Sequence, residues 1–170
     1  YEKAIKIDPN HGNALNNLGI LFKELGYLQK SKSCYEKAIE VNPNDPMAYN
    51  NLGNTFKEVG ENLKAKDCFI KAIEIDSSIA LSHVNLGLTY NELKDYKKAK
   101  IYFEKAIKIN PNLPYTHNHL LKSLYQLDDQ SILFKELDSI IKEGKMNAVI
   151  GSIISRANIK YGFKKENTFC

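Results

Sequence analysis

Asparagine stands at positions 17, 51 and 85, one every 34 residues, each time just before a Leu-Gly pair. The fourth place in that row is His119. A neighbouring row reads Asn16, Asn50, Val84 and Asn118, and a third reads Ile20, Asn54, Leu88 and Lys122. An asparagine amide offers one acceptor and two donors. It can pair with both the N–H and the C=O of one extended peptide unit. Extended chain rises about 3.3 Å per residue, and stacked helical units lie roughly 10 Å apart. One amide per unit would then meet about every third residue of a bound chain. Such a ladder reads backbone and tolerates sequence. Asparagine is a poor helix former, so its return to one register suggests a reason beyond folding. The candidate binding residues are Asn17, Asn51, Asn85, Asn16, Asn50, Asn54, Asn118 and His119. The same amides can instead bond the neighbouring unit or water.

Other chemistry is scarce. His117 and His119 are two apart on a helix and point to different faces. His83 and His117 take the large-residue place that Tyr49 fills, which suits packing or partner contact. There is no glycine-rich phosphate loop, no His-Glu-x-x-His and no Cys-x-x-Cys. Asp128-Asp129 falls in a turn. No catalytic constellation, metal site or cofactor site is expected. Cys34 and Cys68 hold equivalent places in successive units. A spacing of roughly 8–10 Å exceeds the ~7 Å Cα limit of a disulfide. With Cys170 the count is odd, so reduced thiols in a cytoplasmic protein are expected.

The formal net charge of +4 is mild, and Lys and Glu are mixed along the chain. The one basic cluster, Arg156 with Lys160, Lys164 and Lys165, is too short for a nucleic-acid footprint. No apolar run approaches the ~18 residues of a membrane span. Neither a nucleic acid nor a membrane is an expected partner.

The elements that would carry the asparagines recur with them. Tyr1, Tyr35, Phe69 and Phe103 each open nearly the same phrase, aromatic-x-Lys-Ala-Ile. Residues 12–45 show the unit. Leu15, Leu18, Phe22 and Leu25 mark a first helix over about 13–25 by their three- and four-residue spacing. Gly26 ends it. Tyr35, Ala38 and Ile39 mark the inner face of a second helix over about 28–41. Asn42-Pro43-Asn44 closes the unit, because proline removes a donor and restricts the residue before it. Leu18-Gly19, Leu52-Gly53 and Leu86-Gly87 recur, and glycine costs up to ~1 kcal/mol inside a helix. Its return implies close approach of the neighbouring helix, with Ala38, Ala72 and Ala106 matching it. A unit this short cannot bury its own apolar face, so copies must stack. The fold class is all-α, a solenoid of stacked antiparallel helix pairs.

The combination of Leu-Gly, aromatic (Phe22, Phe56, Tyr90), Gly, Ala (Ala65, Ala99), aromatic, Ala and Pro resembles the tetratricopeptide repeat over residues 1 to about 143. That resemblance implies a right-handed α-α superhelix and a role as a protein-interaction scaffold. It divides the chain into a half repeat at 1–11, repeats at 12–45, 46–79 and 80–113, and a degenerate repeat at 114–143. In the last of these Leu121 replaces the glycine, Leu124 the aromatic and Asp128 the turn glycine. Met146, Val149, Ile150, Ile153, Ile154 and Ala157 form another stripe, a capping helix within 144–170 before a fraying tail from 163. Adding the period to Pro114 puts the next start at Ala148 and the turn at Gly162.

An Asn at this register in consecutive repeats is similar to the substrate arm of O-linked N-acetylglucosamine transferases. That likeness implies contact of Asn17, Asn51 and Asn85 with substrate backbone, and His119 breaks the row. The tail around Ile150 to Gly162 and Asn167 to Cys170 looks like bacterial fusions of these repeats to a 2-oxoglutarate/iron oxygenase-like domain. The family's carboxylate-gripping mode uses Lys and Arg; here Asn16 holds the first such position and no Arg precedes Arg156. The leading expectation is a module, not an enzyme, whose concave groove binds a protein or an extended peptide. Alternatives are the arm of a larger enzyme and a self-assembling scaffold. The chain opens inside a repeat and reads as a piece of a longer protein, with Tyr1, Ile5 and Ile7 as an apolar end open to homo-oligomer contact.

Overall fold

The computed structural model describes residues 11–113 and 115–161. Every regular element among them is helical: α1 (Gly12–Glu24), α2 (Leu28–Val41), α3 (Pro46–Glu58), α4 (Asn62–Ile75), α5 (Ala80–Glu92), α6 (Tyr96–Ile109), α7 (Thr116–Gln126), α8 (Gln130–Lys142) and α9 (Ala148–Tyr161). Each odd-numbered helix through α7 folds back on the next, and each second helix packs on the first helix of the following pair. Helix α9 closes the described stack against α7 and α8. The result is an all-α helical repeat solenoid. The expectations placed on the half repeat with Tyr1, Ile5 and Ile7, on Pro114, on Gly162 and on the tail with Lys164, Lys165 and Cys170 lie outside the described residues.

The hairpin turns share one backbone solution. At the end of α1, Gly26 N–H donates to Lys23 O at 2.9 Å and Tyr27 N–H to Phe22 O at 2.8 Å. This pair of bonds closes a helix when the residue past the cap is left-handed. Gly26 and Gly60 supply φ of 78° and 79°. Lys94 and Asp128 hold the same place at φ 60°, where a Cβ costs about 1–2 kcal/mol. The turn holds there because both bonds are kept. Lys94 N–H donates to Asn91 O at 3.0 Å and Asp95 N–H to Tyr90 O at 2.9 Å. In the fourth pair Asp128 N–H donates to Tyr125 O at 3.4 Å and Asp129 N–H to Leu124 O at 3.2 Å.

The recurring glycines receive a ring rather than a helix backbone. A Cβ on Gly19, Gly53 or Gly87 would sit 2.6, 2.7 and 2.7 Å from ring atoms of Tyr35, Phe69 and Phe103. Those rings, on the second helix of the same pair, are 0% exposed. The fourth pair inverts the sizes. Leu121 replaces the glycine and Leu137 replaces the ring, and both are fully buried. The expected close approach is thus an aromatic side chain seated in a helix notch.

Tyr35 is the odd member of its row. Its hydroxyl, and that of Ser31 one turn earlier, are buried with no hydrogen-bond partner. Phe69 and Phe103 fill the same place without a hydroxyl. An unpaired buried polar group costs about 1–3 kcal/mol. Tyr35→Phe is therefore expected to raise stability by about 1 kcal/mol, read as a higher urea midpoint. A lower midpoint would show that the hydroxyl has a partner in solution.

Helix α9 is held at both ends. Ile150, Ile153 and Ala157 bury its inner face. At its far end the Asp128 carboxylate receives Lys160 at 2.8 Å and the Tyr161 hydroxyl. Lys160 also lies over the rings of Tyr125 and Tyr161 at 5.0 and 4.7 Å. The Lys160 ammonium, then the Tyr161 hydroxyl, hold the Asp128 carboxyl below its ordinary value.

The asparagine wall, a candidate peptide-binding surface

The first helices α1, α3, α5 and α7 touch one another directly and form one wall of the stack. On each, residues three and four apart share a face. On α3 that face carries Met47, Asn50, Asn51, Asn54 and Glu58; the equivalent residues recur on α1, α5 and α7.

The asparagines pair across repeats with a step of 35 residues. Asn51 Nδ2 donates to Asn16 Oδ1 at 3.1 Å, and Asn85 Nδ2 donates to Asn50 Oδ1 at 3.2 Å. Val84 and His119 interrupt the series. A further amide pair with a different step, 29 residues, forms where Asn147 Nδ2 donates to Asn118 Oδ1 at 3.2 Å. Asn50, Asn85 and Asn118 are buried, at 1%, 8% and 4% exposure. These three amides wedge between helices. Buried amides need partners, and here the neighbouring repeat supplies one for each.

Asn17 and Asn54 differ. Both are half-buried, and neither has a hydrogen-bond partner among the described residues. Asn16 and Asn51 are also half-buried. Each commits one of its three hydrogen-bonding functions to the pair and keeps the rest. The eight sequence candidates thus divide into a buried set (Asn50, Asn85, Asn118), a half-buried set with spare capacity (Asn16, Asn17, Asn51, Asn54), and His119.

A second chain of contacts runs beside the amides with the same step. Lys23 pairs with Glu58 at 2.8 Å and Lys57 with Glu92 at 3.2 Å. Beneath it, Thr55 and Thr89 hydroxyls donate to the carbonyls of Asn51 and Asn85 at 3.0 and 2.8 Å. Ser123 lies 2.9 Å from both the His119 carbonyl and Asn91 Oδ1.

His119 is half-buried with its ring stacked on Phe103, centroids 5.7 Å apart. Burial first, then the ammonium groups of Lys122 and Lys57, holds its imidazole below the ordinary histidine value. Burial likewise pushes the Cys34 thiol up and the Cys68 thiol up to about 12. A protonated thiol is a poor nucleophile, so neither residue is set up for covalent chemistry. Among the described residues no three His, Cys, Asp or Glu side chains gather as a metal site, and no helix is long and apolar enough to cross a membrane.

Sequence reasoning missed two features of the wall. Met47, Leu81 and Tyr115, again 34 apart, are 44%, 46% and 71% exposed. Their period was visible, and large apolar residues beyond the core stripe were the signal. Asn147 was the other. Its Oδ1 accepts from Ile150 N–H at 3.0 Å while its amide reaches Asn118. An asparagine just before an apolar helix is a capping signature.

Family models described as tetratricopeptide repeat match residues 12–45, 34–67 and 80–113, together more than half of the chain. No curated protein sequence matches. Among solved structures, YrrB, a TPR protein with an unusual peptide-binding site, is 20% identical with a TM-score of 0.80, covering 94% of this chain and 84% of its own. MamA is 24% identical with a TM-score of 0.73, covering 86% and 88%. The first TPR of Spaghetti (RPAP3), bound to the HSP90 peptide SRMEEVD, is 20% identical with a TM-score of 0.68, covering 69% and 93%. At these identities the likeness establishes a shared fold.

Proposed function

This chain belongs to the tetratricopeptide repeat family, and from that premise we propose that it is a protein-interaction module, not an enzyme, whose asparagine wall holds an extended peptide or a segment of a partner protein. The observation that carries the reading is the free amide capacity of Asn17 and Asn54, set beside the exposed row of Met47, Leu81 and Tyr115. Amides hold backbone, and the apolar row covers side chains. YrrB and the Spaghetti repeat, both of this fold, have peptide-binding roles. The pairing of Asn51 and Asn85 with the preceding repeat supports the same use. It fixes their rotamers, and a group ordered in advance loses less freedom on binding.

The test uses an array of ten-residue peptides and the full chain. Asn17→Ala and Asn54→Ala are expected to weaken retained peptides about two- to tenfold each, the worth of one hydrogen bond, with unchanged helicity and unfolding midpoint. Asn51→Ala and Asn85→Ala should lose both affinity and stability. Retention by the Asn17/Asn54 double variant at full strength sinks the amide reading.

The recurring asparagine register also favours a second reading, the substrate arm of a larger glycosyltransferase or 2-oxoglutarate oxygenase-like enzyme. The groove holds chain in either case, and the gene on both sides of this segment decides between them. Self-association is a third use of the stack, tested by light scattering over a wide concentration range. A cytoplasmic setting belongs to the proposal, supported by the free thiols of Cys34 and Cys68.

A further inference from the structure

Helix α7 starts late. The repeat step from Pro46 and Ala80 puts its first residue at 114, and it begins at Thr116. Tyr115 stands just before it with φ 60°, a left-handed backbone that glycine holds more easily. Its side chain is 71% exposed and makes no cap bond to the helix. The exposed ring returns little to the fold for that strain, and strain of this kind gathers at ligand clamps.

Beside Tyr115 lies a cleft of about 190 Å³, between the turn from α6 to α7, the first turn of α7 and the start of α9. A closed cavity of about 150 Å³ takes a benzene ring, so the space suits one aromatic side chain. Leu113, Ile140 and Ile150 give it apolar sides, and the rings of Tyr115 and His117 border it. Asn118 also lines it. That amide is 4% exposed and gives its Oδ1 to Asn147, while its Nδ2 has no partner among the described residues. The nearby charges answer each other, since Lys145 pairs with Glu143 at 2.8 Å. The cleft is built for a neutral guest.

The preceding repeat shows what an imidazole at this register holds. His83, one period before His117, stacks on Tyr102 with centroids 6.0 Å apart and planes 28° from parallel. Its Nε2 lies 3.0 Å from the Ser77 carbonyl oxygen, and the residue is 4% exposed. That site is full. In the fourth pair Glu136 stands at the Tyr102 position. His117 is half-buried, and its ring has neither a stacked neighbour nor a hydrogen-bond partner among the described residues.

We propose that this cleft takes the side chain of a tyrosine on a partner protein, its ring against His117 and Tyr115 and its phenol oxygen accepting from Asn118 Nδ2. The site rests on the groove reading for the chain that brings the ring, and adds an anchor to it. Phenylalanine would leave the buried Asn118 donor without a partner, which is the costly case. An aliphatic side chain would forgo the ring contacts.

The test needs no peptide. N-acetyltyrosine amide is titrated into the full chain, and the ring protons of His117 and Tyr115 are followed by NMR. Saturable shifts are expected in the millimolar range. N-acetylphenylalanine amide should bind about threefold more weakly, the worth of one hydrogen bond, and N-acetylleucine amide more weakly still. Tyr115→Gly relieves the left-handed strain, so it should raise the urea midpoint and yet weaken the tyrosine amide at least about threefold. His117→Leu should weaken it as much. Leu81→Ala, at the exposed residue one period before Tyr115, should leave it unchanged. Absence of a saturable shift, phenylalanine amide binding as tightly as tyrosine amide, or affinity that survives either Tyr115→Gly or His117→Leu overturns the site. None of these results touches the amide ladder, which stands or falls by the peptide array.

Discussion

Gly53→Ala is expected to destabilise the fold by about 2 kcal/mol, although alanine is the better helix former by up to ~1 kcal/mol. The new Cβ would lie 2.7 Å from one Phe69 ring carbon and 2.9 and 3.0 Å from two more. Phe69 is fully buried and cannot swing away. The helix pair must part, and the interface between them loses contact along its length. Gly151→Ala is the control. Nothing lies within 4 Å of a Cβ there, so the ordinary gain of up to ~1 kcal/mol should appear. Phe69→Leu in the Gly53→Ala background should recover part of the loss, since Leu121 and Leu137 make that exchange in the fourth pair. Urea unfolding of the parent, the Gly53→Ala and Phe69→Leu single variants and their double variant measures the coupling, expected at about 1 kcal/mol or more. Additive effects would mean that glycine and ring do not meet.

Asn50→Ala is the second large effect, about 2 kcal/mol lost. Asn50 is 1% exposed and accepts from Asn85 at 3.2 Å. Its removal strands a donor on Asn85, itself 8% exposed, and an unmatched buried group costs about 1–3 kcal/mol. Asn85→Ala should cost a similar amount by stranding the Asn50 acceptor. The double variant should cost less than the sum. Asn16→Ala serves as the comparison. Its pair with Asn51 is half-buried, so water replaces the lost partner and the cost should stay near ~0.5 kcal/mol. Equal losses at Asn16 and Asn50 would remove burial as the cause.

The repeat itself was legible because it rests on short-range rules. Apolar spacing, Gly26 and Gly60 past their helices, and the prolines between units all act within a few residues. Lys94 was not legible as a left-handed turn residue, because the backbone bonds to Asn91 and Tyr90 that hold it there leave no mark on the side chain. At the wall, the period located Asn17, Asn51 and Asn85 but could not separate Asn85, wedged beside Asn50, from Asn17, whose amide has no partner among the described residues. That depends on how far one helix is rotated against the next. The offset of 35 between paired amides, one more than the repeat, records that rotation and is visible only in three dimensions.

Both cross-repeat series, amide to amide and lysine to glutamate, fasten the first and second units and the second and third. Both fail between the third and fourth, where Val84 faces the His119 register and Asn91 faces the Gln126 register. That joint keeps the Asn91–Ser123 contact on this wall. The same joint is fastened by other means, the His119 ring stacked on Phe103 and the Lys100–Asp129 pair at 3.5 Å. The wall therefore changes its kind of seam there, from amide and ion-pair stitches to a ring laid on a ring, and a partner lying along it crosses from one to the other.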